Sequence, residues 1–321
     1  MKAKVAVVIP CFKVSDSIAD VVNRIGDEVI RIYCVNDACP GETGPILDRL
    51  ATTDARVTVV HHTVNTGVGG ATKTGYKAAI DDGMDVVVKL DGDGQMDPAI
   101  IPDLIAPILQ GEADYVKGNR FFNMASIKQI PRSRMLGNIA LSFLTKLSTG
   151  YWDLFDPVNG FTAIHAAVAN ELELNKLNDR YFFESDILFR MAIVRGKVVE
   201  IPMVSVYAEE TSNMSEFKVL MTFPFLHARN FLKRLMYNYF LRGFSIASIS
   251  IISGTCLTLF GLVVGVTAWG QSIETGVTAT TGTVMLAALP FLVGIQMLFN
   301  FLNFDISNLP SRPIHKDLRK L

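Results

Sequence analysis

Four short apolar runs rich in β-branched residues punctuate the first part of the chain: Val5–Ile9, Val29–Val35, Val57–His61 and Val86–Leu90. Each is continuous rather than alternating, the pattern of a strand covered on both faces. Helical segments are expected between them, over about Asp16–Gly26, around Pro45–Ala51, through Tyr76–Ala79 and over Ala99–Gln110. Strands alternating with helices predict an α/β fold with a mostly parallel sheet. Ligands of such sheets sit at the carboxyl ends of the strands, where Pro10, Asp37, Asn65 and Asp91 fall. From about Ala113 to Tyr207 the pattern is mixed and rich in loops.

The pattern changes again near residue 215. Ser215–Arg242 is amphipathic, with Phe225, Leu232 and Leu235 near one face and Arg229 and Lys233 on another. That mixture of aromatic and basic residues suits helices lying at a membrane surface. Phe244–Trp269 and Thr275–Phe304 carry no charged residue, and each is long enough to cross a bilayer. Spans are expected at about 244–269 and 284–304. Lys233, Arg234 and Arg242 precede the first, and Arg312, Lys316, Arg319 and Lys320 follow the second. This bias predicts that both termini and the α/β domain are cytoplasmic, on a multi-pass protein of the cytoplasmic (inner) membrane. The expected organisation is a domain over 1–214, interfacial helices over 215–243, a two-helix hairpin over 244–305 and a basic tail over 306–321.

Composition agrees with this division. Half of the 321 residues are hydrophobic and the mean hydropathy is positive at +0.32. The net charge of −1 supplies no global field for nucleic acid. Cys11, Cys34, Cys39 and Cys256 form no CxxC pair and read as reduced thiols.

The chemistry concentrates at the strand ends. Asp91-Gly92-Asp93 sets two carboxylates one residue apart on a glycine turn, with Gln95 beyond, a donor set for a hard divalent cation and pyrophosphate oxygens. Asp97-Pro98 reads instead as ordinary helix initiation. Asp37 is either a partner for a nucleobase N–H or a turn-forming residue. Asn65-Thr66-Gly67-Val68-Gly69-Gly70 lets backbone approach a ligand, and His61 and His62 beside it read as strand-end residues, not metal ligands.

In order and spacing, Val8-Ile9-Pro10, Val35-Asn36-Asp37, Asn65-x-Gly67, Leu90-Asp91-Gly92-Asp93-Gly94-Gln95 and Val116-Lys117-Gly118-Asn119-Arg120 resemble glycosyltransferase family 2. With Asp156-Pro157-Val158-Asn159-Gly160-Phe161 and Tyr181-Phe182-Phe183-Glu184-Ser185-Asp186, the chain is similar to its polyprenyl-phosphate branch. The resemblance implies a GT-A type, Rossmann-like fold, a nucleotide-sugar donor (UDP-glucose as the working expectation), a polyisoprenyl phosphate acceptor and inverting transfer. It implies that Pro10, Phe12, Asp37, Asn65, Gly67 and Asp91 hold the nucleotide, and that Asp91, Asp93 and Gln95 hold Mg²⁺ or Mn²⁺. Arg120, Arg132, Arg134 and Tyr207 would face acceptor phosphate. Asp156, Glu184 and Asp186 are candidates for recognising sugar hydroxyls or organising the acceptor side, or for pairing with Arg180 or Arg190. A homo-oligomer packed through the spans is compatible with this reading. Another glycolipid acceptor, or a tethered nucleotide-sugar binding protein without turnover, are the alternatives.

Overall fold

The computed structural model describes residues 3–122, 132–203 and 216–318, without the side chains of 132–136, 138 and 216–220. The chain divides into two units: Met1–Phe231 with Pro310–Leu321, and Leu232–Leu309.

The first unit is built on one seven-stranded sheet in the order β3-β2-β1-β4-β6-β5-β7. Its strands are β1 (Val5–Cys11), β2 (Val29–Asn36), β3 (Val57–His61), β4 (Val86–Lys89), β5 (Tyr115–Asn119), β6 (Thr162–His165) and β7 (Val198–Pro202). The first four are parallel neighbours, as their continuous apolar runs require. β6 is antiparallel to both β4 and β5. Helices α1 (Ile18–Asn23), α2 (Thr43–Thr53), α3 (Val68–Asp81) and α4 (Ile101–Leu109) alternate with the early strands. They are followed by α5 (Arg132–Thr149), α6 (Ala166–Glu171) and α7 (Phe183–Val194). The core gathers Val5, Val7 and Ile9 of β1 with Ile18, Val21 and Val22 of α1 and Leu104, Ile105 and Ile108 of α4. Asp97 caps the turn before α4 by accepting from Ala99 N, with Pro98 following, which is helix initiation. All four cysteines are free.

The long helix α8 (Glu216–Leu235) follows β7. Within the first unit it turns apolar side chains outward and polar ones inward. Met221 and Phe225 are exposed, whereas His227 and Asn230 are buried. His227 Nδ1 lies 2.8 Å from Ser148 Oγ, and Asn230 Nδ2 donates to Asp186 Oδ1 at 2.9 Å. The expected apolar face splits accordingly: Phe225 and Leu232 are exposed, but Leu235 is buried.

The second unit holds a π-helical turn (Met236–Leu241), then α9 (Ile246–Thr275) and α10 (Thr281–Ser307). Both long helices run beyond the expected 244–269 and 284–304 and have the length and hydropathy to cross a membrane, with few buried residues. Small residues let their backbones meet. A Cβ at Gly261 would lie 2.5 Å from Ala287 O, and one at Gly294 would lie 2.5 Å from Thr258 N. Asp305, within α10, accepts from Nη1 and Nη2 of Arg234, at 2.6 and 3.0 Å, and from the Tyr239 hydroxyl at 2.5 Å. Beyond α10, Pro310–Leu321, within the expected basic tail, belongs to the first unit and carries α11 (His315–Leu318).

Candidate active site

Parallel register brings several of the expected site residues to one end of the strands. Cys11 pairs with Asn36 and Val8 with Lys89. Phe12, Asp37 and Asp91 therefore leave β1, β2 and β4 at the same end. Pro10 is the penultimate residue of β1, opposite Val35, and Phe12 is exposed with Lys13 Nζ 5.6 Å from its ring centre.

Asp37 is almost wholly buried and organises the glycine loop. Oδ1 accepts from Thr66 N and Thr66 Oγ1, each at 2.8 Å, and Oδ2 accepts from Gly67 N at 2.7 Å. Asn65 Nδ2 donates to Asp37 O, and His62 Nδ1 lies 2.8 Å from Asp37 Oδ1. Burial pushes the carboxyl up, but the bonds from Thr66, His62 and Gly67 outweigh it and hold it below its usual range. Gly67 itself sits at φ +93°, in the region that favours glycine. The Asp37 carboxylate thus orders a loop some 30 residues away through both of its oxygens, rather than forming its own turn.

Asp91, Asp93 and Gln95 follow β4 and are half-buried. Gly94 takes φ +77°, and Asp93 Oδ1 accepts from Gln95 N at 3.0 Å. Among the described residues no group of three or more His, Cys, Asp or Glu side chains converges as a metal site. A pair of carboxylates remains, a hard-oxygen donor set that suits Mg²⁺ or Mn²⁺ whose other ligands come from substrate phosphate and water.

Beneath this turn lie two lysines that the apolar patterning concealed. Lys89 ends β4 and Lys117 lies on β5, both opposite Thr162 of β6, so the three side chains share one face. Both lysines are fully buried. Lys89 Nζ donates to Asp91 Oδ1 at 2.7 Å and Gly160 O at 3.3 Å, and lies 3.2 Å from Glu184 Oε1. Burial alone would lower its ammonium, but Asp91 and Glu184 prevail and raise it above the ordinary lysine range. Lys117 Nζ donates to Asn159 O at 2.7 Å. Burial there prevails over Glu184, Asp156 and Glu200, and brings Lys117 down to about 8.

The remaining candidates separate. Arg120 holds the buried Asp156 carboxylate in a two-pronged pair, and Glu200 accepts from Asn119 Nδ2, Phe155 N and Asp156 N. Burial raises the Glu200 carboxyl. Glu184, in the first turn of α7, reaches Lys89. Asp186 turns away, accepting from Asn178 N and Asn230 Nδ2. The expected partners Arg180 and Arg190 are not used by these carboxylates: Arg190 pairs with Glu173. Arg132 and Arg134 lie on α5 with side chains outside the described residues, as is Tyr207 altogether.

The chain is 30% identical to a UDP-N-acetylglucosamine–dolichyl-phosphate N-acetylglucosaminyltransferase of Methanococcus voltae over 215 residues, covering 63% of this chain and 85% of the relative. It is also 30% identical to an undecaprenyl-phosphate mannosyltransferase of Micrococcus luteus over 209 residues, 64% of this chain and 85% of the relative. Among solved structures, glucosyl-3-phosphoglycerate synthase of Mycobacterium tuberculosis, in complex with Mn²⁺, UDP and glucosyl-3-phosphoglycerate, shares the fold. It superposes with TM-score 0.54 at 18% identity, over 72% of this chain and 80% of that one. The profile of glycosyl transferase family 2 matches residues 6–173, more than half of the chain. The chain belongs to glycosyl transferase family 2, and it is a glycosyltransferase.

Proposed function

We propose that the chain transfers a sugar from a nucleotide-sugar to a polyisoprenyl phosphate at the cytoplasmic face of a membrane, inverting the anomeric centre. The observation that carries this reading is that the Asp91-Gly92-Asp93 turn and Asp37, which orders the glycine loop, leave their strands at the same end of the sheet. The activities of the two relatives supply the acceptor class.

Asp91, Asp93 and Gln95 would hold Mg²⁺ or Mn²⁺, which when bound neutralises charge on a departing diphosphate. Pro10, Phe12, Asn65 and Gly67 frame the nucleotide end, with Asp37 keeping the Gly67 backbone in place. A phosphate monoester acceptor is largely ionised near neutral pH, its second pKa being about 6. It needs no strong base, so the task of the chain is positioning and charge stabilisation. Arg120, fixed by Asp156, presents a permanent cation on the acceptor side, and Arg132, Arg134 and Tyr207 would add phosphate contacts from the segments after β5 and β7. The outward apolar residues of α8, the two long apolar helices and the Lys and Arg residues flanking them support a membrane-held acceptor.

The test supplies purified protein with undecaprenyl phosphate and labelled donors: UDP-glucose, UDP-N-acetylglucosamine and a nucleotide-activated mannose. Mn²⁺, Mg²⁺ and EDTA arms run in parallel. A labelled lipid from one donor, lost with EDTA, is the expected result and names the sugar. Folded protein that yields no lipid product from any donor would sink the proposal.

A further inference from the structure

We propose that Lys89 is a positioning residue that fixes the Asp91 carboxylate for cation binding and ties it to Glu184 of α7. The inference rests on the reading of Asp91 and Asp93 as cation ligands. An ammonium has three N–H donors and no acceptor. Lys89 meets three oxygens: Asp91 Oδ1 at 2.7 Å, Glu184 Oε1 at 3.2 Å and Gly160 O at 3.3 Å. Two of these contacts are hydrogen bonds and the third is an ion pair, and with 1% of its side chain exposed the ammonium is held among these oxygens.

Two consequences follow for the carboxylate. Asp91 Oδ1 already accepts from Lys89, so Oδ2 is the less encumbered oxygen for a ligand. The side chain of Asp91 is 28% exposed, enough to swing into solvent if it were untethered. Lys89 precedes it by two residues on the same strand end and reaches across to Glu184, which is only 13% exposed. The turn that would hold the cation is thereby fastened to the first turn of α7. A group bonded to a metal-ligating carboxylate sets its orientation, and losing such a partner typically costs about 10–100-fold in metal affinity or activity. The sequence offers a contrast within the strand: Val86, Val87 and Val88 are apolar and buried, and Lys89 alone brings a charge into β4.

Removing Lys89 alone strands Glu184 in a buried place, so the informative variant is Lys89→Met combined with Glu184→Gln, compared with Glu184→Gln and Asp93→Ala. Full-length protein is titrated with Mn²⁺ alone, free Mn²⁺ is counted by electron paramagnetic resonance, and the thermal midpoint is recorded for each variant. The expected result is near-normal Mn²⁺ binding by Glu184→Gln and binding about tenfold weaker or more in the double variant, at a comparable midpoint. The Mn²⁺ requirement of transfer should move in parallel. A folded double variant that binds Mn²⁺ as tightly as Glu184→Gln would overturn the role of Lys89. Wild-type Mn²⁺ binding that is insensitive to Asp93→Ala would instead overturn the cation-ligand reading, and this inference with it.

Discussion

The Arg120 guanidinium grips the Asp156 carboxylate through two N–H groups, Nε to Oδ2 at 2.7 Å and Nη2 to Oδ1 at 3.0 Å. Asp156 is 0% exposed and Arg120 28%, so the pair joins an interior anion to a cation at the rim. Any phosphate met by Arg120 is met by a guanidinium already oriented from behind.

Arg120→Ala should therefore do two separable things. It leaves a buried carboxylate without its cation, which should cost about 3–5 kcal/mol of stability. Adding Asp156→Asn removes the stranded charge and should restore most of the thermal midpoint. Transfer activity should stay low in the double variant, because the cation is still missing. Recovery of both stability and activity would reduce Arg120 to a neutraliser of Asp156.

Gly160 is demanded by the same floor. A Cβ there would lie 2.8 Å from Lys89 Nζ and 2.9 Å from Asp91 Oδ2, so one or both groups would have to shift. Gly160→Ala should cost about 1–3 kcal/mol by overpacking and lower kcat at least tenfold through displacement of Asp91, an order set by carboxylate-partner losses elsewhere. Circular dichroism and steady-state rates on purified protein check the two parts. An alanine variant with normal kcat would show that Asp91 tolerates being moved.

Lys117 gives a pH dependence with a definite sign. Its folded value of about 8 lies below the unfolded lysine value of about 10.4. Between those two values the folded chain has released the proton and the unfolded chain still holds it. Stability then rises with pH across the window, and below pH 8 the full penalty of a buried charge is felt. Lys117→Met removes this component. The wild-type midpoint, measured relative to Lys117→Met, should climb from pH 8 to pH 10, and a flat difference would mean that Lys117 titrates normally.

Much of the donor side was legible from patterning, since β1 to β4 are apolar runs whose ends carry Asp37 and Asp91. The second half of the sheet was not. β6 is four residues long and antiparallel, and Lys117 breaks the apolar run of β5, so neither strand stands out. Lys89 and Lys117 carry no signal as a buried pair, because only β6 lying between their strands brings them together. The polar inner face of α8 was hidden for a related reason: His227 and Asn230 resemble surface residues until Ser148 and Asp186 are seen opposite them.

The clasp made by the C-terminal segment was equally invisible, joining residues 201 positions apart, and it alters how the catalytic unit should be isolated. The buried Asp114 carboxylate accepts from Ile314 N and His315 N, each at 2.9 Å, and from Lys197 N at 2.8 Å. His315 Nδ1 lies 2.7 Å from it, and the His315 ring stacks on His165 at 4.5 Å. A chain ended at Gly243 removes the apolar hairpin but also strips Asp114 of these tail donors, leaving a buried carboxylate undersatisfied at a cost of about 1–3 kcal/mol or more. Replacing 244–309 with a Gly/Ser linker removes the same hairpin and keeps the clasp. The linked form should therefore melt higher than the truncated form, and His315→Ala in the linked form should recover only part of the loss, because the backbone donors remain. Equal midpoints for the linked and truncated forms would show that the segment after α10 adds nothing to the stability of the catalytic unit.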